Sequence, residues 1–132
     1  MSEQLEMSVE LPATPKQLFD AWLNSQAHSQ FTGSPAVIDA RVGGEYSAWE
    51  GYIYSKTLAL EPDHLIRQSW RTTEFPQQAP DSLLEVLIEP VINGSRLTLH
   101  HTEIPDGQKQ MYAEGWQDYY FTPMQAYFSK SG

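Results

Sequence analysis

The chain has 132 residues, no cysteine, and 17 acidic against 8 basic side chains, for a net charge of −9 with histidine neutral. Such a surface repels phosphate, and Arg67, Arg71 and Arg96 are scattered rather than clustered, so no nucleic-acid or anionic-membrane partner is expected. Without cysteine there are no disulfides, thiolate nucleophiles or sulfur-ligated metals.

Hydrophobic residues make up 40% of the chain and aromatics 12%, a composition that forms a core. A chain of this length buries roughly two thirds of its unfolded surface, and one domain over residues 1–132 is expected. The N-terminus "MSEQLEMSVE" has no basic stretch followed by an apolar run, and nothing approaches the ~20 apolar residues that span a bilayer. The expected location is the cytoplasm.

In chain order, Leu5, Met7, Val9 and Leu11 alternate with Glu6, Ser8 and Glu10, the period of a strand with one buried face. "ATPKQLFDAWLN" follows. Thr14 is placed to cap a helix with Pro15 at its first position, where a missing N–H is harmless, and Leu18, Phe19, Trp22 and Leu23 form its apolar stripe. Asn24 and Ser25 interrupt it, and "SQAHSQFTG" reads as a short second helix ending at Gly33. "GEYSAWEGYIYSKTLALE" predicts two strands turning near Glu50–Gly51, and "HLIRQSWRT" a further strand after a Pro62–Asp63 turn. "SLLEVLIEP" and "SRLTLHHTE" flank Asn93–Gly94, a strong hairpin signal. "RTTEFPQQAP" reads as a loop of about ten residues, long for a hairpin.

"IPDGQ" then leads into a C-terminal helix. Trp116, Tyr119, Tyr120, Pro123, Met124, Tyr127 and Phe128 recur at steps of three and four, with Gln117, Asp118, Gln125 and Lys130 mostly between them. Pro123 inside that stripe costs about 3 kcal/mol unless a bend is useful, and Gly115 weakens helix propensity beside it. Consecutive strands bracketed by helices predict an α+β fold with an antiparallel sheet, one face of which the terminal helix covers.

"PATPKQLFDAWLN", "ARVGGEY", "GYIY", "SWR", "SRLTLHH" and "GWQDYYFTPMQAYF" together resemble the START-related helix-grip superfamily. Within it they are most similar to the branch named after the C-terminal domain of the activator of the ninety-kilodalton heat-shock protein's ATPase. The resemblance covers nearly the whole chain with the motifs in order. It implies a curved antiparallel sheet of six to seven strands around a long C-terminal helix, two short helices after the first strand, and an apolar cavity between sheet and helix. The namesake has an additional N-terminal domain for which 132 residues leave no room, so a chaperone partner is expected to be engaged only weakly, through the acidic surface.

Enzymatic signatures are sparse. No serine lies in a Gly-x-Ser-x-Gly elbow and no glycine-rich phosphate loop is present; the paired glycines of "RVGGEY" read as a tight turn or bulge. His100 and His101 are adjacent on one strand and point to opposite faces, so they cannot share an ion. His101 has the parity of Leu97 and Leu99 and faces inward, either as a hydrogen-bonded core residue or as a polar handle for a ligand. Glu85 and Glu89 are read as outward, solvated side chains. Trp70 shares its face with Ile66 and a buried Gln68, while Trp49, Tyr46, Tyr52 and Tyr54 add rings from neighbouring strands. Such rings either pack a core or edge a cavity.

The cavity implied by the resemblance is therefore assigned to Trp49, Trp70, His101, Trp116, Tyr119 and Tyr120, with Phe31 of the second short helix. The expected function is non-enzymatic binding of a small hydrophobic or amphipathic ligand, with no cofactor, metal or catalytic residue. Two alternatives remain: a co-chaperone-like interaction module, and a cavity-based cyclase or hydrolase of the kind found among related helix-grip proteins, with His101 as its acid–base residue.

Overall fold

A computed structural model describes residues 2–49 and 51–129. Glu50 and Lys130, assigned from sequence to a turn and to the polar side of the last helix, lie outside them. Seven strands form one antiparallel sheet in the order β1-β7-β6-β5-β4-β3-β2. They are β1 (Ser2–Leu11), β2 (Ala36–Ile38), β3 (Glu45–Ala48), β4 (Ile53–Glu61), β5 (Leu65–Thr72), β6 (Ser82–Val91) and β7 (Gly94–Pro105). Between β1 and β2 run α1 (Pro15–Leu23) and α2 (Ser25–Thr32). After β7 come α3 (Lys109–Trp116), a π-helical turn (Gln117–Phe121) and α4 (Thr122–Ser129). This is the helix-grip arrangement; the short β2 is the one strand that patterning did not single out.

Local chemistry accounts for the element ends. Thr14 Oγ1 accepts from the Gln17 amide at 3.1 Å while Gln17 Oε1 accepts from the Thr14 amide at 2.8 Å, a reciprocal cap on α1. Asn24 closes α1 and caps α2 by accepting from the Ala27 amide, and Gly33 ends α2 at φ 78°. Two other glycines are required by close approach. A Cβ on Gly94 would stand 2.0 Å from the Leu11 carbonyl oxygen, and one on Gly44 2.2 Å from that of Asp39. The first keeps the Asn93–Gly94 hairpin tight against the end of β1; the second matches the turn read from "RVGGEY".

Strand parity builds the core. Leu97, Leu99 and His101 of β7 pair across with Ile88, Val86 and Leu84 of β6, and Val86 and Leu84 in turn with Ile66 and Gln68 of β5. All of these inward side chains are buried. Each fully buried Leu, Ile or Val contributes about 1.5–3 kcal/mol, which is why slippage by one residue, exchanging this face for the outer one, is excluded.

On the outer face Arg96 bridges Glu10 and Glu89, each at 3.0 Å. Glu85 is not simply solvated as patterning suggested: Arg67 donates to it at 2.8 Å and His100 approaches it at 3.4 Å, so its carboxyl is held below the usual range by the Arg67 hydrogen bond. Tyr54 also corrects the sequence reading, because its side chain lies on this outer face and is exposed.

Candidate functional site

Two groups of buried aromatic residues line the interface between sheet and C-terminal helix. At one end, Trp22 of α1 and Phe31 of α2 close over Tyr120, with ring centroids 5.4 and 6.2 Å away. His28 lies among them, fully buried, and sequence reasoning did not place it. His28 Nδ1 faces the Trp22 carbonyl at 2.9 Å and must carry the proton. Nε2 is therefore the acceptor, facing the Tyr120 hydroxyl at 3.0 Å, while the Tyr46 hydroxyl lies 3.2 Å from that of Tyr120. Burial lowers the His28 pKa to about 4 and pushes that of Tyr120 up to about 12, so both are neutral near pH 7.

At the other end stands His101, also fully buried. Indole nitrogen can only donate, so Trp116 Nε1, 3.3 Å from His101 Nδ1, fixes the tautomer with the proton on Nε2. Nε2–H donates to Ser82 Oγ at 2.7 Å, and Ser82 donates to the Trp70 carbonyl at 2.8 Å. Burial depresses the His101 pKa to about 3.

Between Trp116 and β4–β5 the packing leaves a cavity of about 220 Å³. Its floor is Trp70 and Ile53; its helix side is Met111, Tyr112, Gly115, Trp116, Tyr119 and Tyr120; Trp49 and Tyr52 complete the rim. No charged side chain lines it. A Cβ on Gly115 would meet only a Tyr119 ring carbon, at 4.0 Å, so a larger residue there would grow into the open space. A belt of hydrogen bonds holds the mouth. Gln108 donates to the Glu74 carbonyl at 2.8 Å, Tyr112 donates to Gln108 at 2.7 Å, and Tyr52 donates to the Glu74 carboxylate.

Of the residues assigned to the cavity from sequence, Trp49, Trp70, Trp116, Tyr119 and Tyr120 stand on its wall. His101 and Phe31 do not: His101 sits behind Trp116 and Phe31 behind Tyr120. Trp49 is not a strand residue but occupies the turn after β3 with φ 56°, a left-handed conformation unusual for a bulky side chain. Its ring meets Tyr119 edge-on at 5.5 Å. Tyr119 is 59% exposed at the mouth, whereas Phe121, outside the predicted stripe, is buried.

The π turn produces that exchange. The Thr122 amide bonds to the Gln117 carbonyl five residues back, widening the helix before Pro123, whose ring would otherwise collide with the carbonyl one turn earlier. Tyr112, Met111, Ile53 and Gly115 were missed as wall residues; the stripe does continue back from Trp116 to Tyr112 by a step of four.

A curved antiparallel sheet closed on a C-terminal helix, with an aromatic cavity between them, defines a helix-grip protein. The chain belongs to the family described as Activator of Hsp90 ATPase homolog 1-like protein, whose profile matches residues 12–129. The human activator of 90 kDa heat shock protein ATPase homolog 1 is 26% identical over 109 residues, 82% of this chain and 32% of that protein. The chain thus spans about a third of the length of such curated relatives. Among solved structures, an Hsp90 activator from Plasmodium falciparum superposes with a TM-score of 0.88 at 23% identity, covering 96% of each chain. The Aha1 dimer from Colwellia psychrerythraea gives 0.79 at 14% identity, covering 98% of this chain and 99% of that one. Among the described residues no helix is long and apolar enough to cross a membrane.

Proposed function

We propose that residues 1–132 act as a single binding domain that holds a small, flat, mostly apolar molecule in the cavity between β4–β5 and the C-terminal helix. The observation that carries this reading is the 220 Å³ void itself, walled by aromatic rings and free of charge. The site opens to solvent at its mouth, and concave, mostly apolar sites of this kind are where small molecules bind. The volume suits one or two fused rings rather than a lipid. The hydroxyls of Tyr52, Tyr112 and Tyr120 are engaged in internal hydrogen bonds, which favours binding over catalysis.

Saturable binding of 1-naphthol or a comparable aromatic, followed by ligand-observed NMR, is expected in the native protein and lost in Gly115→Leu with the circular dichroism spectrum unchanged. Equal binding by both proteins would sink the reading.

A second reading, interaction with a chaperone of the Hsp90 class, is favoured by membership of the family. Addition of the protein to an Hsp90 ATPase assay is its test, and an unchanged rate at saturating concentration would end it.

A further inference from the structure

The cavity changes character from floor to mouth. Trp70 and Ile53 on the floor are 2% and 4% exposed, whereas Met111 and Tyr119 at the mouth are 37% and 59% exposed. Polar side-chain atoms of the inner wall are already committed. The Tyr112 hydroxyl donates to Gln108 and faces Thr72 Oγ1 at 2.6 Å, and the Trp116 indole N–H is held by His101. The Tyr120 hydroxyl sits in the network with His28 and Tyr46, which Trp49 joins, and Tyr52 on the rim is bound to Glu74. Trp70 Nε1 has no partner among the described residues, but it is fully buried and presents no surface to the cavity. That leaves Tyr119, the exposed residue at the mouth, as the one whose wall hydroxyl has no partner among the described residues.

The backbone of the floor is no more available. β4 and β5 are interior strands: Ile53 pairs with Ala48 of β3 and Thr72 of β5, and Trp70 with Ser55 of β4 and Ser82 of β6. The Trp70 carbonyl also accepts from Ser82 Oγ. A hydroxyl or carbonyl that a ligand carried to this depth would leave water without finding a partner, and it would bear the full loss of its hydration. At the mouth the same group keeps its water and stands beside Tyr119. The cavity therefore sets a direction on whatever enters it, apolar end first.

We infer that the preferred ligand is a one-ended amphiphile: a flat apolar body of one or two rings whose polar groups all sit at one end. It binds with the apolar end against Trp70 and Ile53 and the polar end at the mouth, between Met111 and Tyr119. This rests on the binding function proposed above and specifies its ligand class and orientation. A molecule of the same size with a polar group at each end is rejected, because one of the two would be carried to the floor.

The test uses 2-naphthol and two diols of the same ring system: 2,3-dihydroxynaphthalene, with both hydroxyls at one end, and 2,6-dihydroxynaphthalene, with one at each end. Dissociation constants are measured by ligand-observed NMR on the native protein. The 2,3-diol is expected to bind within about threefold of 2-naphthol, and the 2,6-diol about tenfold or more below the 2,3-diol, the cost of one hydroxyl buried without a partner. In the 2-naphthol complex, isotope-filtered NOEs should join the ring protons farthest from the hydroxyl to the Ile53 methyls, and those beside it to the Met111 methyl. Equal affinities for the two diols, or NOEs of the reverse polarity, with 2-naphthol still bound, would overturn the inference alone. Failure of all three compounds to bind would instead remove the binding function and this inference with it.

Discussion

The two ends of the helix–sheet interface are built from the same residue types, yet one is filled and the other hollow. Where α1 and α2 lie over the sheet, Trp22, Phe31, His28 and Tyr120 interlock with ring centroids 4.7–6.4 Å apart. Beyond the reach of those two helices only α3 and the loop after β5 stand over Trp70, and the stiff rings there leave the cavity. Void and core therefore differ by the layer above them rather than by composition. The buried histidines repeat the contrast. The acceptor nitrogen of His28 faces a hydroxyl that can reverse its role, whereas that of His101 faces an indole N–H that cannot.

The largest effect expected from this contrast lies in truncation. Trp22→Ala should destabilise by about 3–5 kcal/mol in urea unfolding, and Met111→Ala on the rim by less than ~1 kcal/mol; similar losses would break the comparison. Acid comes next. Both histidines are held neutral in the fold, with pKa values depressed to about 4 and about 3, whereas unfolded histidines titrate near 6.5. The unfolded state thus binds more protons below that pH. The stabilising contribution is complete above about 6.5 and declines as pH falls, by up to ~1.4 kcal/mol per unit for each histidine. Between pH 6.5 and 4.5 His101→Gln should remove about one proton from the slope of stability against pH, and an undiminished slope would place the titration elsewhere.

Gly115→Ala should do the opposite of most substitutions and stabilise by about 0.5–1 kcal/mol, since it trades helix-interior glycine for alanine beside open space. A lower melting temperature would mean that the space is not available. An effect of similar size and opposite sign is expected for Tyr52→Phe, which loses the bond to Glu74 and about 0.5–1 kcal/mol. Its signature is faster amide exchange across residues 73–81; unchanged exchange would show that the Gln108 bond to Glu74 holds the mouth by itself.

Strand parity made the sheet legible. Leu97-Leu99-His101 and Ile66-Gln68-Trp70 each face inward as alternation requires, and Thr14-Pro15 and Asn93-Gly94 mark their elements by local chemistry alone. The site was less legible because its features come from breaks in period. Trp49 continues the alternation of β3 in sequence but turns out of the strand at φ 56°. Tyr119 holds a core position on a regular helix and is carried outward by the π turn. His28, Tyr46 and Tyr120 meet across 74 and 92 residues of separation, and no window of sequence displays such a meeting.

A π turn holds one residue more than an α turn closing the same loop of backbone. The segment Gln117–Phe121 therefore works as a phase shifter, setting α3 and α4 about 100° out of step with the single helix they would otherwise form. Each half addresses the sheet in its own register: Trp116 on His101, and Met124 and Phe128 in the core at the α1–α2 end. Deleting any one residue of the segment would leave the surrounding chemistry nearly intact and rotate one half against the other. The number of residues between Trp116 and Pro123 is thus part of what specifies the cavity, as firmly as the identity of any ring that lines it.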